Sequence, residues 1–462
     1  MDGEEQRVDI ASQKFRRSLR QNGMYYVRIL VFYSVLLWVT MSIFFGCVYQ
    51  MGVYAAARIE LDVIDLDHGY VGSQITYFLQ QRNTLKLEVV NQNRPQYSLA
   101  TAKEYVRKSG RWGAFVINPG ASNRLQRAIL ARNDTSYNSS EAMTVLLSSG
   151  RNSVVSSKYV QPELETLAQY ATTQFAIAHV SSTRNVTEWS LSTLISPVGY
   201  TTVDVAPYGF GIARYAPMYA VFVSVACTLA AQILVKLSCG EMYSRVNHHH
   251  LAVYFHMLMV AWSTLLSLFC ALAVLAFRER GYNAQRLGLP MTAGRVLAIF
   301  GTFDAALLVT SQWLFFWITL LPPDFVPFIF VLTLTTTSVS STVALELVPA
   351  SLRWIVAVPG YNSATLFRYI VSGAYPQLGM HIGILLGEAG AMFLLNSAAI
   401  MVRQYWLISG FADDAGWFKA SIFYKCPAIA KQESVSDMEQ EYSIEDDTNE
   451  PVDQIRYTLF GS

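Results

Sequence analysis

Apolar runs of more than 20 residues alternate with polar stretches along this chain. As a helix, each run is long enough to cross about 30 Å of hydrocarbon. Six runs fit this description: Ile29–Val53, Pro217–Leu237, Leu251–Phe277, Val296–Leu321, Phe325–Val348 and Leu378–Val402. The pattern predicts an α-helical integral membrane protein with six transmembrane helices, the first at 29–53 and the other five within 214–403.

The longest polar stretch, 54–213, lies between the first two runs and predicts a separate folded domain. Segments with the two-residue period of half-buried strands, such as Ile59–Asp67 and Arg111–Asn118, alternate there with helical patterns such as Val160–His179. This alternation predicts an α/β domain inserted between helices 1 and 2. The other predicted elements are the helices Val71–Gln81, Ala100–Lys108 and 122–132, the last capped by Ser122, and the strands Leu85–Val90, Met143–Leu147 and Thr193–Val205.

Three Asn-x-Ser/Thr sequons lie in 54–213, and the rest of the chain has none. They begin at Asn133, Asn138 and Asn185. Three sequons in one loop between two apolar runs indicate that the domain is extracytoplasmic and glycosylated. This orientation places the N-terminus in the cytosol and, after six crossings, the C-terminus as well. The alternative is a cytosolic domain with chance sequons.

Charge and cysteine content agree with a membrane protein of the plasma membrane or another secretory-pathway membrane. Only 15% of the residues are charged, against about 25% in soluble globular proteins. The net charge of +1 gives no reason to expect a nucleic-acid partner. None of the five cysteines lies in 54–213, so we expect a hydrophobic core rather than disulfides to hold that domain together.

The flanks of the first span follow the positive-inside rule, but one later loop does not. Residues 1–28 include a basic amphipathic segment suited to an anionic inner leaflet, and a flexible basic flank is the alternative. The loop 278–295 should lie outside, yet it carries four arginines. We keep the alternating topology because the sequon-bearing loop constrains it more strongly.

Two further segments differ from ordinary spans and loops. Residues 349–377 combine apolar pieces with prolines and glycines, which predicts a re-entrant or interfacial segment. Residues 404–462 form a cytosolic acidic tail that we expect to be disordered. Ser434, Ser436 and Ser443 each have an acid three residues further on, which suggests phosphorylation, with an unmodified solvating tail as the alternative.

Motifs for catalysis or cofactor binding do not stand out. The chain has no GxxxxGK[S/T] loop and no Gly-rich dinucleotide fingerprint after a predicted strand. His248, His249 and His250 are consecutive, whereas helical metal ligands need i, i+4 spacing. We therefore expect no enzymatic activity, no catalytic residues, no cofactor and no metal.

Polar residues inside the predicted spans are the candidate functional residues, because ionisable groups in a membrane are expensive. Asp304 and Glu388 lie within spans four and six, where they would either line a wet cavity or form a buried polar contact. Eight of the ten residues 333–342 carry hydroxyls. Thr335, Thr336 and Ser340 would then line a substrate path, unless these hydroxyls bond back to their own helix and only assist packing.

The order of parts resembles the membrane domain of type-2 ABC exporters. More specifically, it resembles the fungal nitrosoguanidine-resistance family and its bacterial relatives, the phage-infection proteins. The resemblance covers about 24–403 and rests on short motifs. They are Phe45-Gly46-Cys47-Val48-Tyr49, Trp112-Gly113-Ala114, Asp204-Val205-Ala206-Pro207, Tyr361-Asn362, Arg368 and Leu378-Gly379.

This resemblance implies a drug-resistance or lipid-related membrane protein without its own ATPase. The first hypothesis is a transport or export component for an amphipathic compound or lipid. Its expected partners are the lipid bilayer, a second subunit in a homodimer or heterodimer, and a separate ATPase subunit. The second hypothesis is a non-transporting receptor or organiser whose extracytoplasmic domain binds a partner.

Overall fold

The computed structural model describes most of the chain between 13 and 408. The described residues are 13–48, 54–55, 58–82, 86–89, 98–131, 137–182, 193, 195–208, 222, 225–233, 246–276, 292–321, 325–374 and 377–408. They form a mostly helical protein with one five-stranded mixed sheet. Asn133 and Asn185, the proposed phosphorylation sites Ser434, Ser436 and Ser443, and most of the loop 278–295 lie outside these residues.

Ten helices of ten or more residues and five strands give the order of the described chain. The helices are α1 Gln13–Val48, α2 Tyr70–Gln81, α3 Leu99–Lys108, α4 Ala121–Ala131, α5 Gln161–Ser182, α6 His248–Ala276, α7 Ala293–Leu320, α8 Val326–Thr342, α9 Pro359–Ser372 and α10 Leu378–Ile408. The strands are β1 Glu60–Asp65, β2 Lys86–Val89, β3 Gly113–Ile117, β4 Met143–Leu147 and β5 Tyr200–Asp204. The part of the chain from β1 to β5 is called the sheet domain below.

The sheet has the strand order β2-β1-β3-β4-β5. All neighbouring strands are parallel except β3 and β4, which are antiparallel. One row of paired residues crosses four strands, from Leu61 through Gly113 and Leu147 to Asp204. The row therefore joins the beginning of β1 to the end of β5.

Helices cover both faces of this sheet, which is why its central strands are apolar at nearly every position. On one face, Val63 and Phe115 pack with α2, α4 and α5. On the other face, Ile64 and Val116 pack with Ala102 and Val106 of α3. The side chains thus alternate between two cores, and the structure has a small mixed sheet with helices on both faces.

The predicted elements of the sheet domain agree with the structure except in two places. The last strand is shorter than predicted and begins at Tyr200. Ser122 does not cap its own helix, because its hydroxyl donates to Asp67 and accepts a 2.9 Å hydrogen bond from the backbone N–H of Val71 in α2. The side chain of Asp67 accepts from the Ser122 N–H at 3.0 Å, so the two helix beginnings are capped from outside their own helices.

Four described helices are long and apolar enough to cross a membrane, which indicates an integral membrane protein. They cover Leu30–Cys47, His248–Ala276, Ala293–Leu320 and Leu378–Trp406. Of the predicted run Pro217–Leu237, only 222 and 225–233 are described, and they are helical. The coarse prediction of a helical membrane protein is confirmed at this level.

The predicted span Phe325–Val348 was wrong at its end. The helix α8 stops at Thr342 and is followed by 3-10 turns at Leu345–Leu347 and Ala350–Ala357. Side chains from elsewhere in the fold bond its last carbonyls: Asn152 donates to the Thr342 carbonyl at 3.0 Å, and Arg368 donates to the Ser341 carbonyl. With these carbonyls engaged by side chains, the chain leaves the helix without stranding them.

The segment predicted as re-entrant contains the second 3-10 turn and the short helix α9. This helix ends at Gly373, whose φ of +73° is a left-handed conformation that favours glycine. Its 14 residues span about 21 Å, which is shorter than the hydrocarbon core. The helix packs against α7, α8 and α10.

Candidate functional site: a polar seam between two membrane helices

Helix α7 lies at the centre of the membrane helices and packs against α6, α8, α9 and α10. Its sequence interrupts long apolar stretches with Asp304 and with Ser311-Gln312. Because neighbours surround the helix, polar residues that a lipid-facing helix would avoid can lie in protein contacts here.

Two hydrogen bonds fix the register between α7 and α10. Asn396 donates from Nδ2 to the Gln312 carbonyl at 3.0 Å, and Arg403 donates from Nη1 to the Thr319 carbonyl at 2.7 Å. Both bonds join residues 84 positions apart, so the two helices run in the same direction. Glu388 also follows Asp304 by 84 positions, and this register therefore places the two predicted acids at the same level.

The polar residues of α7 and α10 recur every seven or eight residues, which is about two helical turns and keeps them on one side of each helix. We call this column the polar seam. It consists of Asp304, Ser311, Gln312 and Thr319 on α7, Glu388, Asn396 and Arg403 on α10, and Gln232 from the helical residues 225–233.

At the acid level of the seam, the two carboxyl groups have different surroundings. The Asp304 carboxyl lies 3.4 Å from the hydroxyl of Ser267 on α6, which also lies 2.9 Å from the Thr264 carbonyl of its own helix. Both carboxyl oxygens of Glu388 are buried and have no hydrogen-bond partner among the described residues. The structure thus places the two acids at one level without a hydrogen bond between them.

One face of α10 is open, and it is not the face of Glu388. Gly383, Gly387 and Gly390 have no atom within 4 Å of the position that a Cβ would occupy, and Leu386 is 63% exposed. At about 100° per residue these positions lie roughly 100° or more around the helix from Glu388. The carboxyl oxygens of Glu388 are buried, so the open face and the acid belong to different sides of α10.

At the amide level, two side chains bond to successive backbone carbonyls of α7. Gln232 donates to the Ser311 carbonyl at 2.6 Å, and Asn396 donates to the Gln312 carbonyl. These residues are all at most 8% exposed. The result is a layer of buried amide groups about two turns from the acids.

The predicted path residues of α8 make hydrogen bonds within their own helix. Thr336 donates to the Leu332 carbonyl at 2.7 Å, and Ser340 donates to the Thr337 carbonyl at 2.9 Å. Thr335 is part-buried on the same helix. The hydroxyl hydrogens of Thr336 and Ser340 are therefore already used, whereas the seam has oxygen atoms without partners.

Side chains of the sheet domain and of Arg58, just before it, bond to the end of α8 and the residues that follow. Arg151 forms an ion pair with Glu346 at 2.6 Å, and Arg58 donates to the carbonyls of Glu346 and Val348 at 2.8 and 3.0 Å. Asn152 adds its bond to the Thr342 carbonyl. We call these contacts the clamp. The core of the sheet domain continues through it, because residues such as Val343, Leu347 and Ile355 belong to the same apolar cluster as Trp112.

A second charged group lies at one edge of the sheet. Asp62 is fully buried beside Arg111, whose Nε lies 3.3 Å from Asp62 Oδ1. Arg111 also pairs with Glu60 and Glu88. Burial raises the pKa of Asp62 to about 6, although Arg111 opposes the shift.

Of the three sequon asparagines, Asn138 lies within the described residues. Its side chain is exposed, and Oδ1 accepts from the backbone N–H of Ser140 at 3.2 Å and from the Ser140 hydroxyl at 2.6 Å. The sequon hydroxyl therefore already contacts the amide to which a glycan would be attached. Among the described residues, no group of three or more His, Cys, Asp or Glu side chains could hold a metal ion.

A family model described as "Protein of unknown function (DUF3533)" matches 29–392, which is most of the chain. The chain belongs to the DUF3533 family. The DUF3533 match begins in α1, includes the whole sheet domain and the clamp, and ends in α10 between Glu388 and Asn396. Comparison with the curated proteins and with the solved structures finds no match.

Sequence reasoning found the acids of this DUF3533 protein but missed the amides and the arginine of the seam. Gln232, Gln312 and Asn396 are neutral, and Arg403 lies just beyond the end of a predicted span, so a search for charges inside the spans passes over them. The spacing of seven or eight residues from Asp304 to Thr319, and from Glu388 to Arg403, was the available signal.

Proposed function

We propose that this DUF3533 protein is a transport component that moves an amphipathic compound or a lipid along the polar seam. The observation that carries the proposal is a column of eight polar residues, six of them buried, between helices apolar enough to cross a membrane. A carboxyl group at the centre of a membrane helix costs about 2.5–3.5 kcal/mol on insertion scales. Glu388 has no described hydrogen-bond partner that offsets this cost.

The unpaired oxygens of the polar seam support the same function. Both carboxyl oxygens of Glu388 are buried and have no hydrogen-bond partner among the described residues. They offer hydrogen-bond acceptors to the polar part of an amphipathic molecule. The self-bonded hydroxyls of α8 offer fewer, so within the proposal Thr335, Thr336 and Ser340 belong to the wall rather than to the path.

The topology in the proposal follows the six apolar runs and the three sequons: six spans with both termini cytosolic and a glycosylated extracytoplasmic sheet domain. The role in drug resistance or lipid handling follows the resemblance to the fungal nitrosoguanidine-resistance family. It is not an enzyme and has no ATPase of its own. It works as a homodimer or heterodimer, or with a separate ATPase subunit.

The test is Glu388→Gln in the full chain, expressed in cells that lack it and challenged with toxic amphipathic compounds. This change keeps shape and polarity but removes the ionisable group, so we expect normal expression and loss of resistance. The matched control is Thr302→Val on α7, whose hydroxyl bonds to the Ala298 carbonyl at 2.8 Å. Full resistance in Glu388→Gln, together with misfolding of Glu388→Leu, would reduce Glu388 to a packing residue.

A groove on the sheet domain favours the second candidate function, a receptor or organiser that binds a partner. The groove has a volume of about 610 Å³ and lies between α5 and 195–198. Two of its lining residues, Ile177 and Ile195, are 58% and 67% exposed. Exposed apolar surface of this kind marks sites of association more often than ordinary surface does.

Co-purification in mild detergent separates the two functions. An ATPase subunit recovered with the wild type and with Ile177→Asp would support the export component. A protein recovered with the wild type and with Glu388→Gln, but lost with Ile177→Asp, would support the receptor.

A further inference from the structure

Four oxygen atoms at the amide level of the polar seam have no hydrogen-bond partner among the described residues. They are Gln232 Oε1, Ser311 Oγ, Gln312 Oε1 and Asn396 Oδ1. The exposed fractions of these four residues are 8%, 0%, 2% and 0%. Buried polar atoms in folded proteins nearly always have a partner, so this concentration on one level needs an explanation.

The orientation of two of these amides is fixed by what they face. The nitrogens of Gln232 and Asn396 lie 2.6 and 3.0 Å from backbone carbonyl oxygens. A carbonyl can only accept a hydrogen bond, so exchanging nitrogen and oxygen in either amide would bring two acceptors together. The oxygens of Gln232 and Asn396 must therefore point away from these carbonyls as acceptors, and the hydroxyl oxygen of Ser311 and Oε1 of Gln312 are unpaired as well.

We propose that Gln232, Ser311, Gln312 and Asn396, the amide cluster, bind a monovalent metal cation of the sodium class. All four residues are at most 8% exposed, and the occupant that we infer for them is a single small ion. Amide and hydroxyl oxygens are hard ligands that suit such a cation, and carbonyl oxygens coordinate sodium at comparable places in membrane transporters.

The charges around the amide cluster favour a single positive charge over a double one. All four ligands are neutral, whereas divalent cations are normally held by carboxylates. The acids Asp304 and Glu388 lie eight residues away along their helices, about 12 Å at 1.5 Å per residue. In the opposite direction along α10, the charged group nearest in the polar seam is the guanidinium of Arg403, which donates to the Thr319 carbonyl. A divalent ion here would lack the anionic ligands that offset its dehydration.

This inference deepens the proposed function. The use of the bound cation in transport rests on that function, whereas cation binding by the amide cluster does not. A cation held between α7 and α10 would let an ion gradient drive a protein that has no ATPase loop of its own. Binding itself requires no transport, and the two ideas can therefore fail separately.

The experiment measures thermal unfolding of the full chain in mild detergent by intrinsic fluorescence, to which Trp313 and Trp317 of α7 contribute. Sodium chloride, potassium chloride and N-methylglucamine chloride are compared at equal ionic strength. A ligand that binds only the folded state raises the melting temperature with its concentration. We expect sodium to raise it and the bulky organic cation to leave it unchanged.

Two variants locate the site. Ser311→Ala removes only an unpaired hydroxyl, so it should fold normally, and Gln312→Met removes Oε1 at similar volume. Each should weaken the sodium midpoint about tenfold, as expected for the loss of one ligand oxygen. The control is Ser263→Ala on α6, which is also buried but donates to its own helix at the Val260 carbonyl, 3.0 Å away.

Equal melting temperatures in all three salts would overturn the proposal, since ordered water at the amide cluster would give that result. A sodium response that survives in Ser311→Ala and Gln312→Met would also overturn it, because the cation would then bind elsewhere. A sodium response lost in both variants but kept in Ser263→Ala supports it, whether or not Glu388→Gln retains drug resistance.

Discussion

Arg151 of the sheet domain and Glu346 beyond the end of α8 form an ion pair of 2.6 Å across 195 positions of the chain. The guanidinium of Arg151 also lies over the ring of Trp112, with 4.4 Å from Cζ to the ring centroid. Because Trp112 is buried in the core of the sheet domain, the pair joins that core directly to the membrane helices.

We expect this pair to couple the two parts of the protein. A double-mutant cycle with Arg151→Met and Glu346→Gln should give a coupling free energy of about 1–3 kcal/mol, because the arginine is mostly buried. The pair Arg107–Glu104 on the surface of α3 is the control, where the coupling should stay below about 1 kcal/mol. Equal couplings in thermal melts would show that the Arg151 pair is ordinary surface electrostatics.

Asn152 tests the clamp separately. Its Oδ1 accepts from the N–H groups of Val154 and Val155, and its Nδ2 donates to the Thr342 carbonyl. Asn152→Asp keeps the two accepted bonds, since aspartate is an equally good cap, but it turns the donor into an acceptor. We therefore expect Asn152→Asp to destabilise the protein by about 1–3 kcal/mol in denaturant titrations. Wild-type stability in this variant would remove the bond to Thr342 from the clamp.

Asp62 should make stability depend on pH. Burial raises its pKa from the ordinary value of 3.8 to about 6 in the folded protein, so between these values the folded state holds a proton that the unfolded state releases. Stability should then fall as pH rises from about 4 to 6, by at most about 3 kcal/mol, and remain lower above pH 6. Asp62→Asn should abolish this part of the pH profile of the melting temperature.

Glu104 is the control for Asp62, because its pKa is shifted in the opposite direction. Hydrogen bonds from Lys108 and Arg107 lower the pKa of its carboxyl, so its contribution is present at neutral pH and is lost as pH falls through the folded pKa. Glu104→Gln should therefore leave the Asp62 slope in place. A wild-type profile that Asp62→Asn does not alter would contradict the assignment.

The sidedness of the sheet domain can be tested at its sequons. Changing Asn133, Asn138 and Asn185 together to Gln should remove a glycosidase-sensitive mobility shift seen with the wild type in a eukaryotic host. Ser140→Ala should remove the Asn138 contribution alone, because it deletes the sequon hydroxyl that contacts Asn138. A wild type without any shift, with a tag near position 190 inaccessible from outside, would refute the extracytoplasmic placement.

The segment 349–377 should begin and end on the same side of the membrane. Ser351 and Gln377 lie near its two ends and are exposed. Single cysteines at these positions, in a background without the native cysteines, should both react with an impermeant reagent from outside. Reaction from opposite sides would instead indicate a further crossing.

Local patterns were sufficient to predict most of the sheet domain. The strands β3 and β4 are short apolar runs bounded by turn residues, and the helices around them have clear periodicity. Non-local contacts were the part that could not be predicted. Ser122 looked like a cap for its own helix but serves α2, and α8 looked like a full span but ends where Asn152 and Arg368 reach it.

The candidate site shows the same division. Asp304 and Glu388 stand out in the sequence because charge inside an apolar run is costly. The sequence does not show that the two acids lie at the same level of the membrane helices. That depends on the register between α7 and α10, which the bonds from Asn396 and Arg403 reveal.

The single antiparallel pairing of β3 with β4 decides where the chain leaves the sheet. Had all strands been parallel, β5 would end at the edge opposite the start of β1. Instead, Leu61 and Asp204 lie in one row of paired residues, three strand spacings or about 14 Å apart. Entry and exit are thus close together at one edge, and about five extended residues would bridge them. The domain therefore adds no distance between the helices that precede and follow it, and its attachment to α8 depends on the clamp and the shared apolar cluster rather than on the path of the chain.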